Sequence, residues 1–139
     1  MLAVHPDDAL AHWFLGFTLI ADGRSEEAIP ELEKTASMMD RSPGSLELLA
    51  TAYAHTGHRP QALRLLEELK RRQHTNYVPA GAFINPYLAL GDYDQAFVWF
   101  EKAYQEQSNI LQFLRVQPFF DPVRNDPRFA DLLRRVGLD

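Results

Sequence analysis

Large apolar residues recur along this chain at helical spacing, and the helical pattern itself repeats at a fixed distance. Leu15, Leu49 and Phe83 stand 34 residues apart, as do Leu19, Tyr53 and Tyr87, and again Leu32, Leu66 and Phe100. Gly23, Gly57 and Gly91 keep the same step, each followed five residues later by an alanine, Ala28, Ala62 or Ala96. A glycine that closes one periodic stretch, with a small residue early in the next, reads as a turn between two closely packed helices. Three helix-turn-helix units are therefore predicted, at about 9–42, 43–76 and 77–108.

Polar residues mark the helix ends. Asp7 and Asp8 are placed to cap a first helix over about 9–21, and Ser25 to cap a second whose first turn carries Glu26 and Glu27, favourable against the helix dipole. Ser42-Pro43 opens the second unit, which closes with a helix from about 59 to Arg72; Tyr77-Val78-Pro79 opens the third, which closes with a helix from Tyr93 to Gln107. Pro30 lies early in its helix and predicts a mild kink. Pro86 lies deeper, deprives the Ala82 carbonyl of its partner and predicts a bend.

The period stops after residue 107. Asp121-Pro122 and Asp126-Pro127 both read as an aspartate cap followed by proline at the first helical position. The second launches a last helix whose stripe, Phe129, Leu132, Leu133 and Val136, is expected to cover Phe100 and Ala103. Arg128, Asp131, Arg134 and Arg135 are expected to face away, and Gly137 to end the helix. The opposite end of the chain differs, because Leu10–Ala21 is apolar nearly all round. Leu15, Gly16 and Leu19 are expected against Ala28 and Leu32, which leaves Leu10, Trp13, Phe17 and Ile20 in need of cover, with Met1–Val4 as the remnant of a preceding helix.

The 34-residue step and its slots resemble the tetratricopeptide repeat. Its leucine, tyrosine and phenylalanine slots hold large apolar groups in each copy. The glycine slot drifts through Gly16, Ala50 and Ile84, and the tryptophan slot through His12, Leu46 and Ala80. From about Leu46 to Leu138 the chain is similar to the C-terminal repeat region of multidomain bacterial signalling proteins, in which such a tail follows a serine/threonine kinase, a winged-helix regulator or an adenylate-cyclase-like domain. The block from Gly91-Asp92 to Tyr104 and the closing stretch from Asp126 to Leu138 carry that similarity.

The resemblance implies an all-α fold, a right-handed superhelical solenoid of three helix-turn-helix repeats with a C-terminal capping segment over 109–139, the whole chain 1–139 being one domain. It implies a non-catalytic module that binds a protein or peptide in a concave groove. The first helix of each repeat would line that groove with Trp13, Phe17 and Ile20, then Glu47, Thr51 and His55, then Gly81 and Asn85. Trp13 and Phe17 suit apolar side chains of a ligand and Asn85 its backbone, although an upstream repeat could equally cover the aromatics. The alternative role is self-association through the apolar stripe of the first helix. A two-carboxylate clamp for chaperone tails is not expected, because Trp13, Phe17, Leu48, Val78 and Ala82 occupy the slots where cations would be needed.

Composition narrows these possibilities. A net charge of −5 argues against nucleic acid held on a broad basic face, and no apolar run approaches the length of a membrane span. The first residues lack a basic segment and carry an acidic pair, so a secretory leader is not expected and a cytoplasmic location is. The absence of cysteine removes thiolate chemistry and cysteine metal sites. His55 and His58 flank a turn glycine with no third ligand close in sequence, so a turn role is expected for both. No phosphate loop, nucleophile elbow or paired inward carboxylates can be traced, and neither enzyme activity nor a cofactor is expected.

Overall fold

The computed structural model describes residues 8–75 and 77–137, which form helices and turns with no strand among them. Met1–Val4 and Asp7 lie outside the described residues. The chain divides into a unit ending at Val78 and a unit beginning at Pro79.

The first unit consists of two helix pairs, α1 (Ala9–Ala21) with α2 (Ser25–Met38), and α3 (Pro43–His55) with α4 (Arg59–Arg72). Local chemistry sets their ends. The Asp8 carboxylate accepts from the Ala11 N–H at 3.1 Å, and the Ser42 hydroxyl from the Ser45 N–H at 3.4 Å with Pro43 as the first helical residue. Both turns pass through left-handed glycines, Gly23 at φ +78° and Gly57 at φ +82°, a conformation that costs glycine nothing. The expected cap at Ser25 does not form. Arg24 takes the cap position without a side-chain cap, and the Ser25 hydroxyl meets His55 Nδ1 at 3.0 Å.

Within the first pair, Gly16 is buried directly against Leu32, which is itself completely buried. Ala28, Leu46, Ala50, Ala62 and Leu66 fill the equivalent small and large slots of the core. Leu15, expected at that contact, is 37% exposed instead. After α2 the backbone passes through two consecutive left-handed residues, Asp40 at φ 51° and Arg41 at φ 53°, each strained by about 1–3 kcal/mol. That path lets Arg41 reach α4. Its guanidinium forks onto Glu68 at 2.6 and 2.9 Å, and its carbonyl accepts from Arg72.

In the second unit the 3-10 turn Ala80–Phe83 leads into α5 (Ile84–Leu90), and α6 (Tyr93–Gln105) follows. Two further 3-10 turns, Asn109–Phe113 and Pro118–Val123, then precede α7 (Pro127–Val136). The bend expected at Pro86 is a break instead. Because α5 starts at Ile84, Pro86 is its third residue, where a backbone N–H has no partner within the helix and its loss removes no hydrogen bond. Ile84, in the glycine slot of this copy, is fully buried at that break. Asp92 caps α6 through the Gln95 N–H at 3.2 Å, and the helix ends at Gln105, two residues earlier than expected.

The terminal segment closes over an aromatic cluster. Phe100 lies 5.4 Å from Phe120 and 6.3 Å from Phe129 between ring centres, and Ala103 and Leu132 are buried with them. Asp126 caps α7 by accepting from the Arg128 N–H at 2.9 Å. The first aspartate-proline pair does not start a helix, because it lies inside the turn Pro118–Val123 and Asp121 instead accepts from Arg124 Nε at 2.6 Å. Arg128 and Arg135 also depart from expectation by reaching α6. Arg128 binds Asp94 at 2.8 Å and lies 4.4 Å over the Phe97 ring, while Arg135 binds Glu101 and lies 5.0 Å from the Tyr104 ring. Their long aliphatic stems permit this, covering apolar surface while the charge stays in water.

Two pairs of variants test this packing. A methyl group on Gly16 would stand 2.5–2.6 Å from the Leu32 side chain, whereas one on Gly44 would meet its nearest atom, Trp13 Nε1, at 3.6 Å. In urea denaturation Gly16→Ala is expected to lose about 1–3 kcal/mol and Gly44→Ala to stay within about 0.5 kcal/mol of wild type. Equal midpoints would show that the close approach carries no weight. In the second unit, Asp126→Ala is expected to lower the thermal midpoint more than Asp121→Ala, since only the former removes a helix cap.

Candidate functional site

The residues expected to line a groove divide sharply by accessibility. On α1, Trp13 and Phe17 are half-buried and stacked, with ring centres 5.7 Å apart and planes 16° apart; Phe14 meets the Trp13 ring edge-on at 5.2 Å. The indole nitrogen lies over Gly44 at the start of α3. On α3, Glu47 is half-buried one turn further along, so the aromatic pair and a carboxylate share the face that α1 and α3 form together. That combination can hold an apolar side chain and a cation or N–H donor beside it.

Ile20 and Thr51 are not on that face. Ile20 is 3% exposed and belongs to the core, and Thr51 is buried with its hydroxyl turned back to the Glu47 carbonyl at 2.8 Å. Gly81 and Asn85 belong to the second unit, where both are buried, Gly81 in the 3-10 turn and Asn85 at the start of α5. The turn Ala80–Phe83 and α5 pack against α6, and α5 also against the turn Pro118–Val123, which covers both residues.

Sequence periodicity singled out Leu10 as needing cover but passed over Phe14 and placed Leu15 inside. Leu10 is 57% and Phe14 54% exposed, and with Leu15 they form an open apolar patch beside the stacked pair. The inward face of α1 is instead His12, Gly16, Leu19 and Ile20. His12 fills the slot where the repeat pattern has tryptophan, and its Nδ1 meets Glu31 Oε2 of α2 at 2.5 Å, so a polar residue is held inside while Leu10, Phe14 and Leu15 lie outside. The spacing of His12, Gly16 and Leu19 opposite Glu31 was the available signal.

His55 ends α3 at a shallow crevice formed with Gly23, Ser25, Glu26 and Thr56. Its side chain stays accessible, but Nδ1 is taken by Ser25, and removal of water from part of the ring lowers its pKa below the ordinary value. His58 uses its Nδ1 on Thr56 at 2.8 Å, so the two histidines serve separate contacts. Among the described residues no three His, Asp or Glu side chains gather as metal ligands would. No helix among them is long and apolar enough to cross a membrane.

Residues 9–34 and 43–68 match the family model described as Tetratricopeptide repeat. Each stretch begins with the first helix of a pair and ends inside the second, and the two starts differ by the same 34 residues that the apolar pattern shows. No curated protein and no solved structure matches the chain.

The lowered His55 pKa fixes the sign of a pH effect. An imidazole that is harder to protonate in the folded state than in the unfolded one supports folding fully above the ordinary histidine pKa of about 6.5, and this support is lost as pH falls from there through the lowered value. The thermal midpoint of wild type is therefore expected to drop further between neutral pH and pH 5 than that of His55→Gln, which titrates no imidazole there. A wild-type profile parallel to that of His55→Gln would show that burial of the His55 ring does not lower its pKa.

Proposed function

We propose that this chain is a non-catalytic protein-interaction module that takes a peptide or protein partner on the face formed by α1 and α3. Tetratricopeptide repeats generally mediate contacts between proteins, and the two matched segments are the two helix pairs that build this face. The observation that carries the reading is the stacked, half-open pair Trp13 and Phe17 beside Glu47. Large rigid aromatics lose little conformational freedom on binding and dominate interface energetics. We read the whole chain as one domain acting in the cytoplasm as the tail of a bacterial signalling protein; its net negative charge favours a protein partner over nucleic acid.

A second reading is favoured by the open patch on the same helix. Leu10, Phe14 and Leu15 present apolar surface with no charged residue anywhere in α1, so a second copy could pair with it without like-charge repulsion.

The two readings separate experimentally. Peptides selected from a random library on the wild-type chain are expected to lose about tenfold or more in affinity for Trp13→Ala, the usual cost of removing an aromatic anchor. Selected peptides that bind Trp13→Ala unchanged would refute the face. Sedimentation over a concentration series addresses self-association: a wild type that dimerises and a Leu10→Glu/Phe14→Glu variant that does not would support the second reading, and a wild type monomeric throughout would remove it.

A further inference from the structure

A second groove in the first unit plays no part in the function proposed above. It runs between α2 and α4, has a volume of about 950 Å³, and is floored by Ala36, Leu49, Tyr53 and Leu65. Its lips carry opposite charge. Glu33 of α2 and Asp40 of the turn that follows it stand on one side, and α4 contributes Arg64 and Arg71, seven residues apart, on the other, all four exposed. The other charges at the rim are already matched: Glu68 holds Arg41, and Glu67 lies 3.7 Å from Lys70 of its own helix. Arg64 donates only to the Pro60 carbonyl, at 3.4 Å, and neither Arg64 nor Arg71 enters an ion pair among the described residues.

The groove is also braced. Tyr53 donates its hydroxyl to Glu33 at 2.8 Å, and burial together with that bond pushes its pKa up to about 12. The Arg41 fork on Glu68 ties the turn after α2 to α4, and the left-handed backbone at Asp40 and Arg41 holds the end of the acidic lip. A cleft of this form, with an apolar floor and two rows of unlike charge, presents a defined pattern to whatever enters it.

The spacing selects the occupant. Seven residues of helix advance about 10.5 Å, so the basic lip on α4 offers two charges about that far apart. A helical ligand matches this directly, because its residues i and i+7 lie on one charged edge while other residues spaced three and four apart form an apolar seam beside it. An extended peptide covers the same distance in about three residues, which places the two side chains on opposite faces. We infer that the α2–α4 groove docks an amphipathic helix of a partner protein, with its apolar seam on Ala36, Leu49 and Leu65, basic residues along Glu33 and Asp40, and acidic residues along Arg64 and Arg71.

Three stapled helical peptides with one leucine seam test this: one with a basic and an acidic edge, one with both edges acidic, one with both edges basic. In fluorescence anisotropy the mixed-edge peptide is expected to bind the full chain about tenfold more tightly than either other peptide, and less tightly as salt is raised. Arg64→Glu/Arg71→Glu makes both lips acidic and is expected to move the preference to the all-basic peptide. Ser37→Trp is expected to weaken all three by filling the groove, with no change of charge. Trp13→Ala leaves the mixed-edge affinity unchanged, which keeps this groove distinct from the face on α1 and α3. Absence of saturable mixed-edge binding, indifference to the double charge reversal in a variant with the wild-type melting temperature, tighter binding of an unstapled proline-containing version, or loss of binding in Trp13→Ala would each overturn the assignment.

Discussion

The close approach of Gly16 to Leu32 governs the first unit. A side chain at position 16 would crowd Leu32 in the space beneath it, so α1 packs on α2 with its Gly16 face turned inward. That rotation carries His12 onto Glu31 and buries Leu19 and Ile20. It also turns Leu10, Phe14 and Leu15 outward and leaves Trp13 and Phe17 half-open over Gly44. The apolar patch and the aromatic pair are thus consequences of a packing contact on the other side of the same helix. Core packing of this kind yields little to a single added methyl group.

Charge acts at a later level, after packing has placed the helices. Arg128 with Asp94 and Arg135 with Glu101 join α7 to α6, and Arg41 with Glu68 joins the turn after α2 to α4, each across the surface of its own unit. The hydrogen bonds from Arg41 and Arg135 hold the Glu68 and Glu101 carboxyls below the usual range. Exposed pairs of this sort add little stability individually. Their contribution is to register: the two arginines of α7, seven residues apart, match the two acids of α6, also seven apart, and so set how α7 lies over the Phe100, Phe120 and Phe129 cluster.

Interaction chemistry in the first unit is spread over two surfaces of different character. The face of α1 and α3 offers stacked aromatics and one carboxylate, which suits an apolar anchor. The groove between α2 and α4 offers an apolar floor between acidic and basic lips, which suits an ordered, charged ligand. Both depend on the same repeating unit. In the first pair Gly16 of α1 lets Leu32 of α2 approach, while the outward faces of α2 and α4 carry charge.

The amino-acid sequence by itself determined the helices, because the forces that start and stop them act within a few residues. The ends of α1 and α4, the caps at Asp8, Ser42 and Asp126, the left-handed glycines and the 34-residue step all follow from local spacing and residue type. The α1–α3 face was legible only in part: Trp13, Phe17 and Glu47 reach it, but Ile20 and Thr51 do not. Ser25 could cap its own helix or serve His55, and Asp121 could start a helix or hold Arg124; in each case a partner distant from the local pattern prevailed. The rotation of α1 was the least legible feature of all. A helix that is apolar nearly all round carries no polar face to mark its outside, so its orientation is decided only by which neighbour it fits, and that neighbour is Leu32 in the hollow at Gly16.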